Sequence, residues 1–141
     1  MTEEQQVTYA PEADLSVADF CQVLVDSGLG ATRPVNDPAR IAEMLSKADV
    51  VMTARLDTPG RTLLGVARCI TDFSWCCYVA EIAVVRHAQG LGVGKTLLAE
   101  IRRHLGPRVS VILASMPESV SFYERIGMPR MPDTFCYRRE V

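Results

Sequence analysis

Two apolar periods alternate along the chain, one of three to four residues and one of two or fewer, and together they set out its elements in order. Val17, Phe20 and Leu24 share a helical face within Leu15–Asp26. Ser16 is placed to cap its start, Asp19 three residues later makes a weak capping box, and Gly28 and Gly30 stop it. Ile41, Met44, Leu45 and Ala48 repeat on one side of a second helix, which Asn36 or Asp37 can cap and Pro38 can enter in its first turn. Leu97, Leu98, Ile101 and Leu105 line one side of a third helix from Gly94 to Leu105, while Lys95, Glu100, Arg102 and Arg103 take the other. A short fourth helix is expected from Ser119 to Ile126, closed by Gly127.

The strand-like stretches surround these helices. Gln5–Tyr9 can open a sheet, and Pro11, which has no amide hydrogen for the ladder, should end it. Val50–Leu56 and Leu63–Ile70 flank the turn Asp57-Thr58-Pro59-Gly60 and predict an antiparallel hairpin. Thr71–Ser74 then turns the chain into a third strand, Cys76–Val85. Arg108–Ala114 is an apolar, β-branched run suited to a buried strand, and Thr134–Arg139 can return as a last edge strand. The order β-α-α-β-β-β-α-β-α-β predicts an α/β (α+β) fold with a mixed, twisted sheet of about six to seven strands and four helices. Its strand-helix-strand unit from Tyr78 to Ala114 is a right-handed crossover between parallel strands. Ligands of such a unit bind at the carboxyl ends of the strands, beside the start of the helix.

The 141 residues suit one domain over 1–141, with an ordinary globular balance of charged and apolar residues. Fifteen basic against seventeen acidic side chains leave a net charge of −2, so no global field draws in nucleic acid or an anionic membrane, and any anion site must be local. The polar, acidic start Met1–Gln6 lacks the basic and apolar segments of a secretory signal, no run is long enough for a membrane span, and a cytoplasmic protein is expected. Cys21, Cys69, Cys76, Cys77 and Cys136 show no CxxC spacing, so buried, reduced thiols are expected and no metal site is.

The local anion site is in Gln89-Gly90-Leu91-Gly92-Val93-Gly94, between a strand and a helix. Three glycines at alternate positions let backbone N–H groups converge on one anion, and the first-turn amides and dipole of the next helix add to the attraction. The Gly94-Lys95-Thr96 ending suggests a nucleoside triphosphate P-loop, but that motif needs a glycine where Gln89 stands. GxGxG spacing likewise differs from the GxGxxG of dinucleotide folds.

Gln89, Gly92 and Gly94, at the spacing of the cofactor signature, and Ser121-Phe122-Tyr123-Glu124-Arg125-Ile126-Gly127-Met128 resemble two motifs of the GNAT superfamily of acyl-CoA-dependent N-acetyltransferases, over most of the chain. The resemblance implies acetyl-CoA as cosubstrate and transfer to a primary amine by direct attack through a ternary complex. The backbone of Ile82, Ala83 and Val84 would pair with the pantetheine arm, and amides from Gly90, Leu91, Gly92, Val93, Gly94 and Lys95 would hold the pyrophosphate. Strands ending near Val85 and Ala114 would splay around the thioester, with Tyr123 protonating the departing thiolate. An Asn that some members carry after the fifth strand is absent from Ala114-Ser115-Met116-Pro117, where Ser115 can substitute. Glu81 can take the amine proton unless strand alternation sends it to the other face. Asp72, Phe73 and Trp75 suit an ammonium group of the acceptor, or form a plain turn capped by the aspartate. Arg102 and Arg103 read either as a solvated face or as an adenosine-phosphate contact. The acceptor is expected to be a small-molecule amine, a homodimer stays open, and a CoA-binding sensor that lacks catalysis is the alternative class.

Overall fold

In the computed structural model, which describes residues 6–141, five strands lie side by side in chain order: β1 (Val7–Pro11), β2 (Val50–Leu56), β3 (Leu63–Thr71), β4 (Cys76–Val84) and β5 (Ser110–Ile112). The first four pair antiparallel and β5 pairs parallel with β4, so the sheet is mixed, as the element order requires. Helices α1 (Val17–Ser27) and α2 (Pro38–Ser46) follow β1, α3 (Val93–Leu105) joins β4 to β5, and α4 (Val120–Arg125) follows β5.

The caps are those the sequence offers. Ser16 Oγ accepts from the amide of Asp19 at 3.1 Å, and Asp37 rather than Asn36 caps α2, its Oδ1 accepting from the amide of Arg40 at 3.1 Å. Strand alternation divides the helices between two faces. Gly65 of β3 faces Val93 and Leu97 of α3, whereas Arg68, three residues on, faces α2 and reaches the carbonyl of Met44. Phe20, Leu24, Ile41 and Val66 are buried, as are Met52, Cys69, Leu97 and Ile101. Each such side chain contributes about 1.5–3 kcal/mol of apolar burial.

Pro11 ends β1 as expected, but as its last paired residue, opposite Met52, because β1 is an edge strand with a free side for a residue that cannot donate; Gln5, the expected first residue of that strand, lies outside the described residues. Three expectations change. The fifth strand keeps only three of the seven residues expected. Thr134–Arg139 forms no strand among the described residues, and Phe135 and Tyr137 are fully exposed, so the sheet has five strands rather than six to seven. The aromatic residues of the tail suit a strand, but strand formation also needs a partner, and the tail pairs with none among the described residues. Of the cysteines, Cys69 and Cys77 are buried while Cys76 and Cys136 are exposed, all as free thiols.

Candidate active site

Strands β4 and β5 stay paired for three residues only, Cys76–Tyr78 against Ser110–Ile112. Beyond Tyr78, β4 runs on through Val79–Val84 with β3 on one side and, among the described residues, no strand on the other. The amide of Val85 donates to Leu64 across that β3 side. Alternation therefore turns the backbone groups of Val84 and Ile82 to the open edge, and the carbonyl of Val84 accepts there from Gln89 Nε2 at 2.9 Å. The backbone groups that remain without a strand partner along this edge are a template for an extended, amide-containing ligand.

A cleft of about 710 Å³ follows this edge, and Ile82, Ala83, Val84, Gln89, Gly90, Gly92, Val93, Gly94 and Lys95 all line it. Gly90 and Gly92 have φ of +81° and +84°, left-handed backbone that side chains disfavour, and a Cβ at either would meet only open space. The turn is thus bent by glycine and left uncovered at the mouth of the cleft. Helix α3 starts there with no side-chain cap on Gly92, leaving its first-turn amides available to an anion. Gly94 serves a different end: a Cβ there would stand 3.1 Å from Phe122 Cζ, so its absence lets α4 close against the first turn of α3. Leu91 is 75% exposed and does not line the cleft.

Where β4 and β5 part, a recess of about 40 Å³ opens between Val79–Ile82 and Leu113–Ala114, and Tyr123 lines both it and the main cleft. The Tyr123 ring meets Phe122 edge to face, with centroids 5.0 Å apart. Burial holds its phenol above the usual tyrosine range, so it stands protonated at neutral pH and able to donate. Ser115 lies between these walls in sequence but lines neither cavity, its hydroxyl donating to the carbonyl of Met116 at 2.7 Å.

Glu81 is drawn into an ion cluster on the face that strand alternation left open to it. The register opposes Arg68 to Glu81 and Cys69 to Val79, leaving Ala80 as an extra residue, a β-bulge in β4. Glu81, its side chain 1% exposed, turns to the helix-covered face and receives Arg68 Nε and Nη2 at 2.6 and 2.9 Å and Arg33 Nε at 3.2 Å. Arg33 also donates to the carbonyl of Ala80 at 2.8 Å. Both carboxylate oxygens are therefore occupied by guanidinium groups, which opposes a role as proton acceptor although Glu81 touches the edge of the recess. Arg33 carried no signal in the sequence, since its importance comes from the bulge it holds.

The hairpin residues stand elsewhere. Asp72 Oδ1 accepts from the amides of Ser74, Trp75 and Cys76, which also depresses its carboxyl, and this is the capped turn. Asp72, Phe73 and Trp75 precede β4, seven or more residues from Ile82, or about 23 Å along the strand. They line neither cavity. The cleft wall that faces β4 comes instead from the end of α1 and the turn after it, Gly28, Leu29, Ala31 and Thr32, and from Met116, Glu118 and Arg125.

A mixed sheet that parts between two parallel strands, with a glycine-bent turn and a bare helix start at the mouth of the gap, is the architecture of an acetyltransferase domain. The family model described as acetyltransferase (GNAT) domain matches residues 31–138, and the chain belongs to that family. It is 29% identical over 112 residues to the "Uncharacterized N-acetyltransferase ycf52" of Porphyra purpurea, covering 78% of this chain and 63% of that protein, so the chain spans less than two thirds of that relative's length. Among solved structures, a protein of Deinococcus radiodurans R1 superposes with a TM-score of 0.72 at 24% identity, over 98% of this chain and 94% of the other. The aminoglycoside N-acetyltransferase AAC(6')-Iy, solved in complex with CoA, superposes with a TM-score of 0.70 at 16% identity, over 100% and 99%. At these identities the superpositions show the fold.

Proposed function

We propose that this domain transfers an acetyl group from acetyl-CoA to the primary amine of a small molecule, by direct attack in a ternary complex. The observation that carries this reading is the continuity of the cleft, from the glycine turn along the open edge of β4 to Tyr123. Backbone amides from Gly90 to Lys95 hold the pyrophosphate, and the open backbone of Ile82 and Val84 pairs with the amides of the pantetheine arm. The thioester then lies where β4 and β5 part. The amine nitrogen attacks the thioester carbonyl carbon, the carbon–sulfur bond breaks, Tyr123 gives its proton to the departing thiolate, and the amine proton leaves to water. No side chain is assigned as the base, because the two arginines occupy Glu81. The complex of AAC(6')-Iy with CoA supports both the cosubstrate and a small-molecule acceptor.

The test is CoA release from acetyl-CoA on addition of pooled small amines. Amine-dependent release lost in Tyr123→Phe, with acetyl-CoA binding retained, is the expected result. The engaged state of Glu81 also favours a second reading, a CoA-binding module without catalysis. That reading predicts acetyl-CoA binding with no release for any amine.

A further inference from the structure

Six of the fifteen lysine and arginine side chains pair with carboxylates. Arg33 and Arg68 hold Glu81, Arg55 holds Glu12, Lys47 pairs with Glu43, Arg103 with Glu100 and Arg130 with Glu124. Two basic residues line the main cleft, Lys95 and Arg125, and neither has a carboxylate partner among the described residues. Lys95 stands in the first turn of α3. Arg125 stands in the last turn of α4, three residues after Phe122, whose ring packs at Gly94. Residues three apart share a helix face, so the contact that brings Phe122 onto the start of α3 also carries Arg125 toward the cleft that Lys95 lines. The other contact of Arg125 is a 3.5 Å approach of Nη1 to Ser121 Oγ on its own helix, which leaves most of its donors unused. Glu118, the one carboxylate lining the cleft, lies seven residues upstream of Arg125, near the opposite end of the segment.

We infer that Arg125, with Lys95, forms a phosphomonoester site that reads the 3′-phosphate of CoA. This rests on the proposed use of the cleft for acetyl-CoA and adds the group by which the domain tells CoA from its dephospho form. The chemistry separates the two phosphate sites. A pyrophosphate on the glycine turn is served by backbone amides, which recognise it at no cost in side-chain order. A terminal phosphomonoester carries nearly two charges on oxygens that project into solvent, and a planar guanidinium meets two of them at once. Arg102 and Arg103, the other basic pair near this region, line neither cavity, and Arg103 is tied to Glu100.

The experiment titrates CoA and 3′-dephospho-CoA into the wild-type chain, Arg125→Gln and Lys95→Gln, by calorimetry, with the fold of each variant checked by circular dichroism. Wild type is expected to bind CoA at least about tenfold more tightly than 3′-dephospho-CoA, the scale of one charge-assisted bidentate contact. Arg125→Gln should reduce that preference to within about twofold while binding 3′-dephospho-CoA as wild type does. Equal binding of both ligands by wild type overturns the 3′-phosphate site and leaves the acetyl-CoA reading standing. An equal weakening of both ligands in Arg125→Gln also overturns it, since the arginine would then serve the pyrophosphate. Binding of neither ligand by wild type overturns the acetyl-CoA reading itself.

Discussion

Replacing Glu81 with glutamine removes one negative charge from between two guanidinium groups and changes almost nothing in shape. The Glu81 side chain is 1% exposed, those of Arg68 and Arg33 are 11% and 19%, and the three contacts span 2.6 to 3.2 Å. The amide can still accept from one arginine, but its NH2 then faces the other, and the two cations lose the charge that screened them from each other. Breaking a buried ion pair on one side costs about 3–5 kcal/mol, and the partial exposure of the arginines argues for the lower end, about 3 kcal/mol. For a chain of this length that is a fall of about 10 °C in Tm. Urea unfolding of wild type and Glu81→Gln, followed by circular dichroism with a common slope, measures it. A loss below about 1 kcal/mol would mean the three groups behave as surface charges and would refute the reasoning. Kinetics give a second readout. Measured well below its own Tm, Glu81→Gln should keep kcat within about tenfold of wild type, whereas loss of a general base costs about 10²–10⁴-fold. A folded variant with a kcat loss in that range and unchanged CoA binding would restore Glu81 as the proton acceptor.

Tyr123→Phe should lower kcat by about 10²-fold or more with CoA binding unchanged. Because burial raises the phenol, any alkaline limb in wild type that belongs to Tyr123 should appear only above about pH 10 and be missing in the variant, which a pH–rate profile checks. Gly92→Ala places a side chain at φ +84° with nothing near its Cβ, so the cost is conformational, about 1–2 kcal/mol in Tm-derived stability, together with weaker CoA binding by thermal shift. Glu12 joins β1 to β2 through Arg55 at 2.7 and 2.8 Å, and that hydrogen bond, against the cost of burial, lowers its carboxyl. The stabilisation is fully present above the unfolded pKa of about 4.3 and is lost as pH falls through the lowered folded value, so Glu12→Gln should cost about 1 kcal/mol at pH 7 and progressively less in paired urea titrations as pH falls below about 4.

What the sequence makes legible here is local. Ser16 and Pro38 announce their helices because a cap and a first-turn proline act within four residues of themselves. The glycine turn is legible for the same reason. Gly90 and Gly92 adopt left-handed backbone that few other residues tolerate, and their placement before an amphipathic helix locates an anion site without any knowledge of the sheet. The parallel pairing of β4 and β5 also follows from local features, since a helix between two strands requires a crossover.

Glu81 shows where that legibility ends. Its face is decided by parity along β4, and parity is reset by one extra residue, Ala80, whose bulge exists only because β3 opposes it in a shifted register. No property of Val79-Ala80-Glu81-Ile82 announces the bulge, and counting alternation from Cys77 says nothing of which side Arg33 will approach from, forty-eight positions earlier. The bulge and the ion cluster hold each other: the Ala80 carbonyl accepts from the same guanidinium that meets Glu81, so the kink that turns the carboxylate inward is fixed by the cation the carboxylate attracts. The tail illustrates the converse. Thr134–Arg139 has aromatic residues suited to a strand, yet strand formation is a property of a pair, and these residues pair with no strand among the described residues. Features that require two distant segments to agree on a register are therefore the ones a single chain cannot declare in advance, and in this domain they include the bulge beside the thioester's expected position as well as the edge of the sheet.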